Sequence, residues 1–496
     1  MVKHYRLIGL IWLLLALASG SYGQNTIKLD IRIPDSAGES GAAMFKKLRI
    51  TNPIRIKFSD LNLKIEQIIG YYENSGYPFV QVRMDSVNPV QTGIFGILLI
   101  HPGELVTIDT LMNRTGFRIS PRVFYRLMNI RPGDRYRESA VNEASRRLGL
   151  IPYLSQTRPL EVGFHPGKAS VYVYPGKAGA NRFDGWIGLS PDLRAGGKLA
   201  FSGALTLNLN NVLGQGENWQ FDWHRNQDGS QKLNLAAHVP YLAGLPFGLQ
   251  GKFELYRQDT SYLNLGWDVG IPYHFNPNHL LNLFIRHKES SILVSLTDGK
   301  SSIRQPFTSL LSGLTWEFNQ LDNRINPYRG LEFRLEASTG RKSIPDSISM
   351  QQSEFTANIS WFQPLAKSLT CALVLQSGYR KSPETYENEQ YRLGGLGLLR
   401  GFDEDVFHTD AFAVTSVELR YLLDRASHLI VLTDVGFLRI IENNIPIFKI
   451  PVGVGLGGQI RTAGGIFRII FALGKDGGQP FNLKNAKIHL GYVGVF

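Results

Sequence analysis

The residues best equipped for chemistry in this chain lie between Leu393 and Asp434. The stretch LGGLGLLRGF ends a glycine-rich run in Arg400-Gly401-Phe402, and two carboxylates follow in strand-like segments, Glu418 in TSVELRY and Asp434 in LTDVG. A glycine cluster can cradle a phosphate, but no Gly-Lys-Ser/Thr follows this one and no dinucleotide-binding βαβ unit surrounds it. A guanidinium offers a different chemistry, because its planar fork pairs bidentately with a carboxylate. Period-two alternation sets Val417, Leu419 and Tyr421 against Glu418 and Arg420. It likewise sets Val431, Thr433 and Val435 against Asp434 and Gly436. If these strands cross a membrane as part of a barrel, charge on the lipid face is costly, so Glu418 and Asp434 are expected in the lumen. Gly453, Gly455 and Gly457 share a face of a later strand and leave room for a loop to approach the wall.

Catalytic motifs are missing from the sequence: no G-x-S-x-G elbow, no HExxH and no paired-cysteine metal site occurs. His238, His274, His279 and His287 are scattered over separate strand or turn positions. The single cysteine, Cys371, excludes an internal disulfide and reads as a small packed side chain in LTCALVLQ. The expectation is a non-enzymatic protein with no catalytic residues, no cofactor and no metal. The net charge of +12 is spread along the chain without a basic block, so it indicates no nucleic-acid partner.

These residues must be positioned by strands. No run of 18 apolar residues occurs after the N-terminus, which argues against transmembrane helices. The 51 glycines, 28 Phe, 20 Tyr and 7 Trp suit many strands with aromatic girdles. From Asn181 onward, segments of about ten residues alternate apolar and polar, as barrel strands do. Eleven precede the glycine-rich loop, near 182–191, 197–210, 216–228, 230–240, 247–258, 261–272, 278–289, 308–319, 329–340, 351–362 and 367–379. Five follow it, near 411–422, 428–437, 450–460, 464–474 and 486–496. The sum is sixteen, with short connections expected at one barrel end and long loops at the other, around 290–307, 341–350, 380–410, 438–449 and 475–485. In the last strand, KIHLGYVGVF, Ile488, Leu490, Tyr492, Gly494 and Phe496 share one face.

Ahead of the barrel, Lys3, His4 and Arg6 precede an apolar run at 7–18 and small residues to Gly23, the pattern of a secretory signal peptide over 1–23. Residues 24–178 read as two α+β units. In the first, a strand (26–33) and a short helix (39–48) are followed by a helix with Leu61, Ile65, Ile68, Ile69 and Tyr72 on one face. Asp60 is expected to cap that helix, Asn74-Ser75-Gly76 to stop it, and two strands follow. The order recurs over 104–174, giving two β-α-α-β-β units, each with helices over a three-stranded sheet.

The phrases IIGYYENSGYPFVQVRMDSV and IRPGDRYRESAVNEASRRL resemble POTRA domains, the periplasmic modules of the BamA/TamA-like outer-membrane assembly and translocation family. That family and its two-partner secretion relatives carry a V/I-R-G-F/Y motif in the sixth extracellular loop, which folds back into the lumen. LLRGF is similar to it in motif and in strand count. LNNVLGQGE (209–217), DNRINPYRG (322–330) and GVGLGGQIRTAGGIFRIIFALG resemble further family segments in the right order. Two departures stand out: Leu399 occupies the usual Val/Ile position, and the span 403–417, with its acidic tract Asp403-Glu404-Asp405, is shorter than usual.

The resemblance implies an all-β transmembrane 16-stranded antiparallel β-barrel (179–496) preceded by small α+β POTRA domains (24–102 and 103–178), in the bacterial outer membrane with the N-terminal module in the periplasm. It implies that Arg400 pairs with Glu418 or Asp434, locking the loop in the lumen. It also implies that Ile488, Leu490, Tyr492 and Phe496 form the C-terminal barrel signal and one side of the seam. The function implied is an insertase or translocase, or else an exporter of one dedicated substrate. The implied partners are unfolded outer-membrane or secreted client proteins, outer-membrane lipids, and periplasmic chaperones or accessory lipoproteins. An exposed sheet edge could capture a client strand by main-chain hydrogen bonds, or the units could be spacers.

Overall fold

The computed structural model describes residues 26–34, 39–90, 93–149, 151–192, 198–226, 229–276, 278–294, 304–323, 325–347, 349–442, 445–462, 465–477, 480–483 and 486–495. The signal peptide and Phe496 lie outside the described residues. The chain forms two compact units. One holds the described residues up to Thr115 with Met128–Arg146 and Thr157–Pro175. The other holds Gly116–Leu127, Arg147–Gln156 and the described residues from Gly176 onward.

In the first unit a four-stranded sheet runs in the order Ile54–Lys57, Thr26–Arg32, Gly93–His101, Gln81–Val90. Thr26–Arg32 lies parallel to Gly93–His101, and the other pairs are antiparallel. The helix Phe58–Glu73 turns Leu61, Ile68 and Tyr72 inward. Around Ile68 and Tyr72, Ile31, Met44, Leu98 and Ile100 close the main core, while Leu61 packs with Ile27 and Leu29. This spacing is that of one face of a 3.6-residue helix. Asn74 stops the helix as expected: its N–H and its side-chain amide both donate to the Gly70 carbonyl, at 3.1 and 2.7 Å. Gly76 follows at φ +102°, a conformation that favours glycine.

Two expectations are corrected here. The sheet has four strands, not three, because Asn52 fixes the segment before Ile54–Lys57 by bonding Ile31 N–H and C=O, both at 2.8 Å. A four-residue strand is too short to carry a periodic signal. Asp60 does not cap the helix. Lys57 is the cap residue and makes no side-chain cap bond, and Asp60 sits in the first turn, where its charge favours the dipole.

A second, three-stranded sheet has Thr107–Asn113 parallel to Lys168–Val173, which pairs antiparallel with Glu161–His165. The helices Pro121–Met128 and Glu138–Leu148 lie between its first and second strands in sequence, so the order is β-α-α-β-β. A two-stranded ribbon, Leu154–Gln156 with Pro175–Lys177, is an addition.

The other unit is dominated by a nearly closed antiparallel barrel of sixteen strands. They are Arg182–Asp192, Lys198–Asn210, Asn218–Arg225, Gln231–Val239, Leu249–Gln258, Tyr262–Asn276, His279–Ile292, Phe307–Asn319, Gly330–Ser343, Met350–Ala366, Leu369–Lys381, Ala411–Leu422, His428–Glu442, a fourteenth in two segments (Ile445–Lys449 and Val452–Arg461), Ile466–Lys475 and Lys487–Val495. Such closure satisfies every inner ladder bond, which a bilayer without water demands. The two segments of the fourteenth strand both pair with the thirteenth and part at Ile450-Pro451, where proline has no N–H to donate.

The loops therefore differ from expectation in two places. The expected loops at 438–449 and 341–350 are shortened, because the thirteenth strand continues to Glu442 and forms a hairpin with Ile445–Lys449, and the ninth continues to Ser343. The connection 382–410 is the longest, and it carries the short hairpin Tyr391–Leu393 with Phe407–Thr409.

Replacing Ile68, fully buried between helix and sheet, by alanine should destabilise the N-terminal unit by about 2–5 kcal/mol. Limited proteolysis of the full chain checks this. Cleavage should accelerate between residues 26 and 115 while the barrel keeps its heat-dependent gel mobility.

Candidate functional site in the barrel lumen

Alternation decides which way each wall residue points. On the twelfth strand Val417, Leu419 and Tyr421 are exposed on the outer face, and Glu418, at 5% exposure, faces inward. On the thirteenth, Leu429 and Val431 face out and Asp434 is fully buried. The two strands are direct neighbours, with Ser416 opposite Asp434 and Glu418 opposite Leu432, so both carboxylates open on one stretch of inner wall.

The loop 382–410 brings Arg400 to them. Arg400 Nη1 donates to Glu418 Oε1 at 2.6 Å, Nη2 to Asp434 Oδ1 at 2.6 Å, and Nε to Asp434 Oδ2 at 2.9 Å. Its backbone N–H donates to Asp434 Oδ2 as well, at 2.8 Å. The Asp434 contact is the bidentate fork that guanidinium geometry favours, and Glu418 completes the set. The Glu418 Oε2 left over accepts from Arg420 Nε and Nη2, at 2.8 and 2.5 Å. Both carboxylates thus take up the cations' donors, as buried ions require.

Close approach of backbones makes this possible. A Cβ at Gly453 would stand 2.1 Å from the Arg400 carbonyl oxygen, and one at Gly401 only 2.5 Å from the Leu473 carbonyl carbon. Gly401 also has φ +97°. Of the three aligned glycines of the fourteenth strand, Gly453 is the one against the loop; Gly455 and Gly457 lie against the fifteenth strand's backbone. Leu399, where the resembling family has Val or Ile, is fully buried at φ +65° among Leu393, Phe407, Val414 and Leu438. A β-branched residue tolerates a left-handed φ poorly, so the unbranched Cβ of leucine suits this backbone. Phe402 packs edge-on against Phe407, with ring centroids 5.1 Å apart.

The short span after Phe402 is taken up by the acidic tract. Glu404 turns back to accept the Leu396 N–H at 2.9 Å, and its carboxyl pKa is raised by burial. Asp403 pairs with Lys487 of the last strand at 2.6 Å.

Sequence reasoning did not find the loop's second anchorage. Glu387 pairs with Arg304 at 2.9 Å, and Glu389 pairs with the fully buried Lys342 at 2.8 Å. Asn388 donates to Ser290 Oγ at 2.6 Å and to the Gln305 carbonyl at 2.8 Å. Arg392 stacks over Tyr256 at 3.9 Å and bonds the Tyr262 hydroxyl. These partners lie on or beside the fifth to ninth strands, so no local pattern announces them. Only the buried lysine hints at it, since Lys342 lies on the inward phase of its strand. A lumen ladder joins Asp268, Arg286, Glu336, Glu354 and Arg380, and summing the polar phase of adjacent strands could have revealed it.

The C-terminal residues stand apart from this lock. Ile488 and Leu490 point outward, 66% and 70% exposed, and Tyr492 stacks against Phe467 at 4.6 Å. Cys371 is a free, half-buried thiol, and no group of three potential metal ligands occurs among the described residues.

Comparison with known proteins follows the same lines. The model of the Omp85 superfamily domain matches residues 211–489. The chain belongs to the Omp85 superfamily. Its fold resembles BamA from Haemophilus ducreyi lacking POTRA domains 1–3, at 15% identity, TM-score 0.54, covering 95% of this chain and 99% of that one. It also resembles CdiB from Acinetobacter baumannii (12%, TM-score 0.58, 96% and 91%) and CdiB from Escherichia coli (14%, TM-score 0.59, 97% and 92%). No curated protein sequence matches. This Omp85 protein is thus an outer-membrane insertase or transporter, with an α+β region before its barrel.

Removing one partner of the lock leaves a buried charge unpaired, at a cost of about 3–5 kcal/mol. Arg400→Ala and Asp434→Asn in this Omp85 protein should each release the loop, and Gly453→Ala should do so by steric exclusion. Protease cleavage between residues 393 and 406 on folded protein reads the effect, which Arg400→Lys should reproduce in part because lysine lacks the fork.

Proposed function

We propose that the protein gathers unfolded client polypeptide on two periplasmic POTRA domains, residues 24–102 and 103–178, and passes it to the barrel seam for membrane insertion or translocation. One observation carries this reading. Among the described residues the first and last barrel strands pair through two positions, Arg182 with Val495 and Phe183 with Gly494, whereas the first and second strands pair through eleven. Beyond those two positions no pairing joins the two strands among the described residues, and an edge left open there can take up a client strand by β-augmentation. Ile488, Leu490, Tyr492 and Phe496 then serve as the barrel's own insertion signal and as one side of the opening. Arg400 fixes the loop that fills the lumen, so the route for a client is lateral. Among the described residues Gln81–Val90 is an edge strand of the N-terminal sheet, and strand capture uses that edge.

In this reading the N-terminal module lies in the periplasm, the long loop 382–410 approaches from outside, and the chain carries no catalytic residue, cofactor or metal of its own. Periplasmic chaperones or accessory lipoproteins deliver the clients. A dedicated exporter of one secreted protein shares every one of these features, and the proteome distinguishes the two. Depletion should remove many barrel proteins if the protein is an assembly factor and a single secreted species if it is an exporter.

The seam is testable directly. With Cys371 replaced by serine, cysteines at Gly185 and Tyr492 should form a disulfide across the seam under oxidation. Client assembly should then stop and resume on reduction. Full activity with the seam locked would rule out lateral passage.

A further inference from the structure

The outer wall of the barrel carries a depression that the proposed function does not use. Across the sixth to ninth strands it has a volume of about 800 Å³, within the range of small-molecule sites. Trp267, Ile271, Leu283 and Ile285 form one apolar bank, and the floor is small: Ser312, Ala337 and Thr339. Register explains the floor. Ser312 lies opposite Thr339, Thr339 opposite Ser353, and Ala337 one step along the same outward phase, with Phe355 beside it as the other bank. The Thr339 and Ser353 hydroxyls bond each other at 2.9 Å, and Thr339 also reaches the Gln352 carbonyl at 3.3 Å, so the floor is satisfied without water.

At its loop end the depression changes character. A second hollow of about 710 Å³ shares Ser312 and Thr339 with the first and adds Arg341 and Gln351. Lys381 lies outward on the eleventh strand directly opposite Ser353. Neither Arg341 nor Lys381 has a carboxylate within salt-bridge distance among the described residues. Outward Glu289 is two strands from Arg341 and four from Lys381. Arg341 is eight residues along its strand from outward Phe333, which packs against the girdle ring Trp316. At roughly 3.3 Å per residue along a tilted strand, that sets Arg341 near the edge of the apolar band.

We infer that this groove holds one molecule of a multiply acylated glycolipid with two phosphates on its headgroup, of the lipid A type. Its acyl chains lie over Ala337 and Ser312, and its phosphates lie at Arg341 and Lys381. Two strand spacings across and two residues along separate the two cations by roughly 12 Å, which matches a headgroup with two phosphates better than one with a single phosphate. Arginine forks onto a phosphate and lysine meets it as a point charge, each reaching the headgroup level by its long stem. The assignment to the outer leaflet rests on the orientation with the N-terminal module in the periplasm.

Native mass spectrometry of the full chain in micelles tests the inference, with bisphosphorylated lipid A, phosphatidylglycerol or phosphatidylcholine added. One lipid A should be retained per chain, in preference to both phospholipids. Ala337→Trp, which fills the groove from the lipid side, should abolish retention. Arg341→Gln with Lys381→Gln should weaken it about tenfold or more. Heat-dependent gel mobility confirms that each variant is folded. Equal retention of phosphatidylcholine or phosphatidylglycerol, or undiminished retention by folded Ala337→Trp, overturns the proposal. The measurement reads the site whichever way the barrel lies in a membrane, so failure of the seam experiment leaves it intact.

Discussion

A guanidinium removed from water must have its donors met, and Arg400 meets that demand only where two neighbouring strands offer carboxylates at one depth. Everything around the loop follows from this pairing. Asp434 accepts three donors from Arg400, counting its main-chain N–H, and Glu418 divides its two oxygens between Arg400 and Arg420. Because the backbone as well as the side chain is bound, the lock fixes the path of the chain at residue 400 and not merely the end of a long arm. The glycines at 401 and 453 are consequences, since two backbones cannot approach this closely with a Cβ between them.

The loop is held at two distant parts of the wall. Arg400 binds the twelfth and thirteenth strands, while Glu387, Asn388, Glu389 and Arg392 bind partners on or beside the fifth to ninth. A segment anchored on both sides crosses the lumen. Among the described residues the seam is the most thinly paired junction of the wall. A barrel in a bilayer must close its hydrogen-bond ladder. A seam with two paired positions among the described residues, beside a neighbour with eleven, is a local exception to that rule, of the kind that function tolerates at a price in stability.

Charge is managed by different rules on the two faces. Inside, Glu336, Glu354 and Arg380 are buried and pair with each other or with the half-buried Arg286, as charges withdrawn from water require. Outside, the wall is apolar through the band and becomes charged near its loop end, where Arg341 and Lys381 are exposed.

Much of this was legible in the residues. Period-two alternation placed Glu418 and Asp434 on the inward phase, because side-chain direction along a strand is a local property. The helix 58–73 and its stop at Asn74 were legible for the same reason, as was the count of sixteen strands. Tertiary structure alone decided what depends on partners remote in sequence. Asn52 made a strand of Ile54–Lys57, Pro451 split the fourteenth strand while its neighbours carried it on, and Lys342 found Glu389. The choice between Glu418 and Asp434 as partner of Arg400 was also tertiary: the loop brings the guanidinium between both, and its five donors are enough for each.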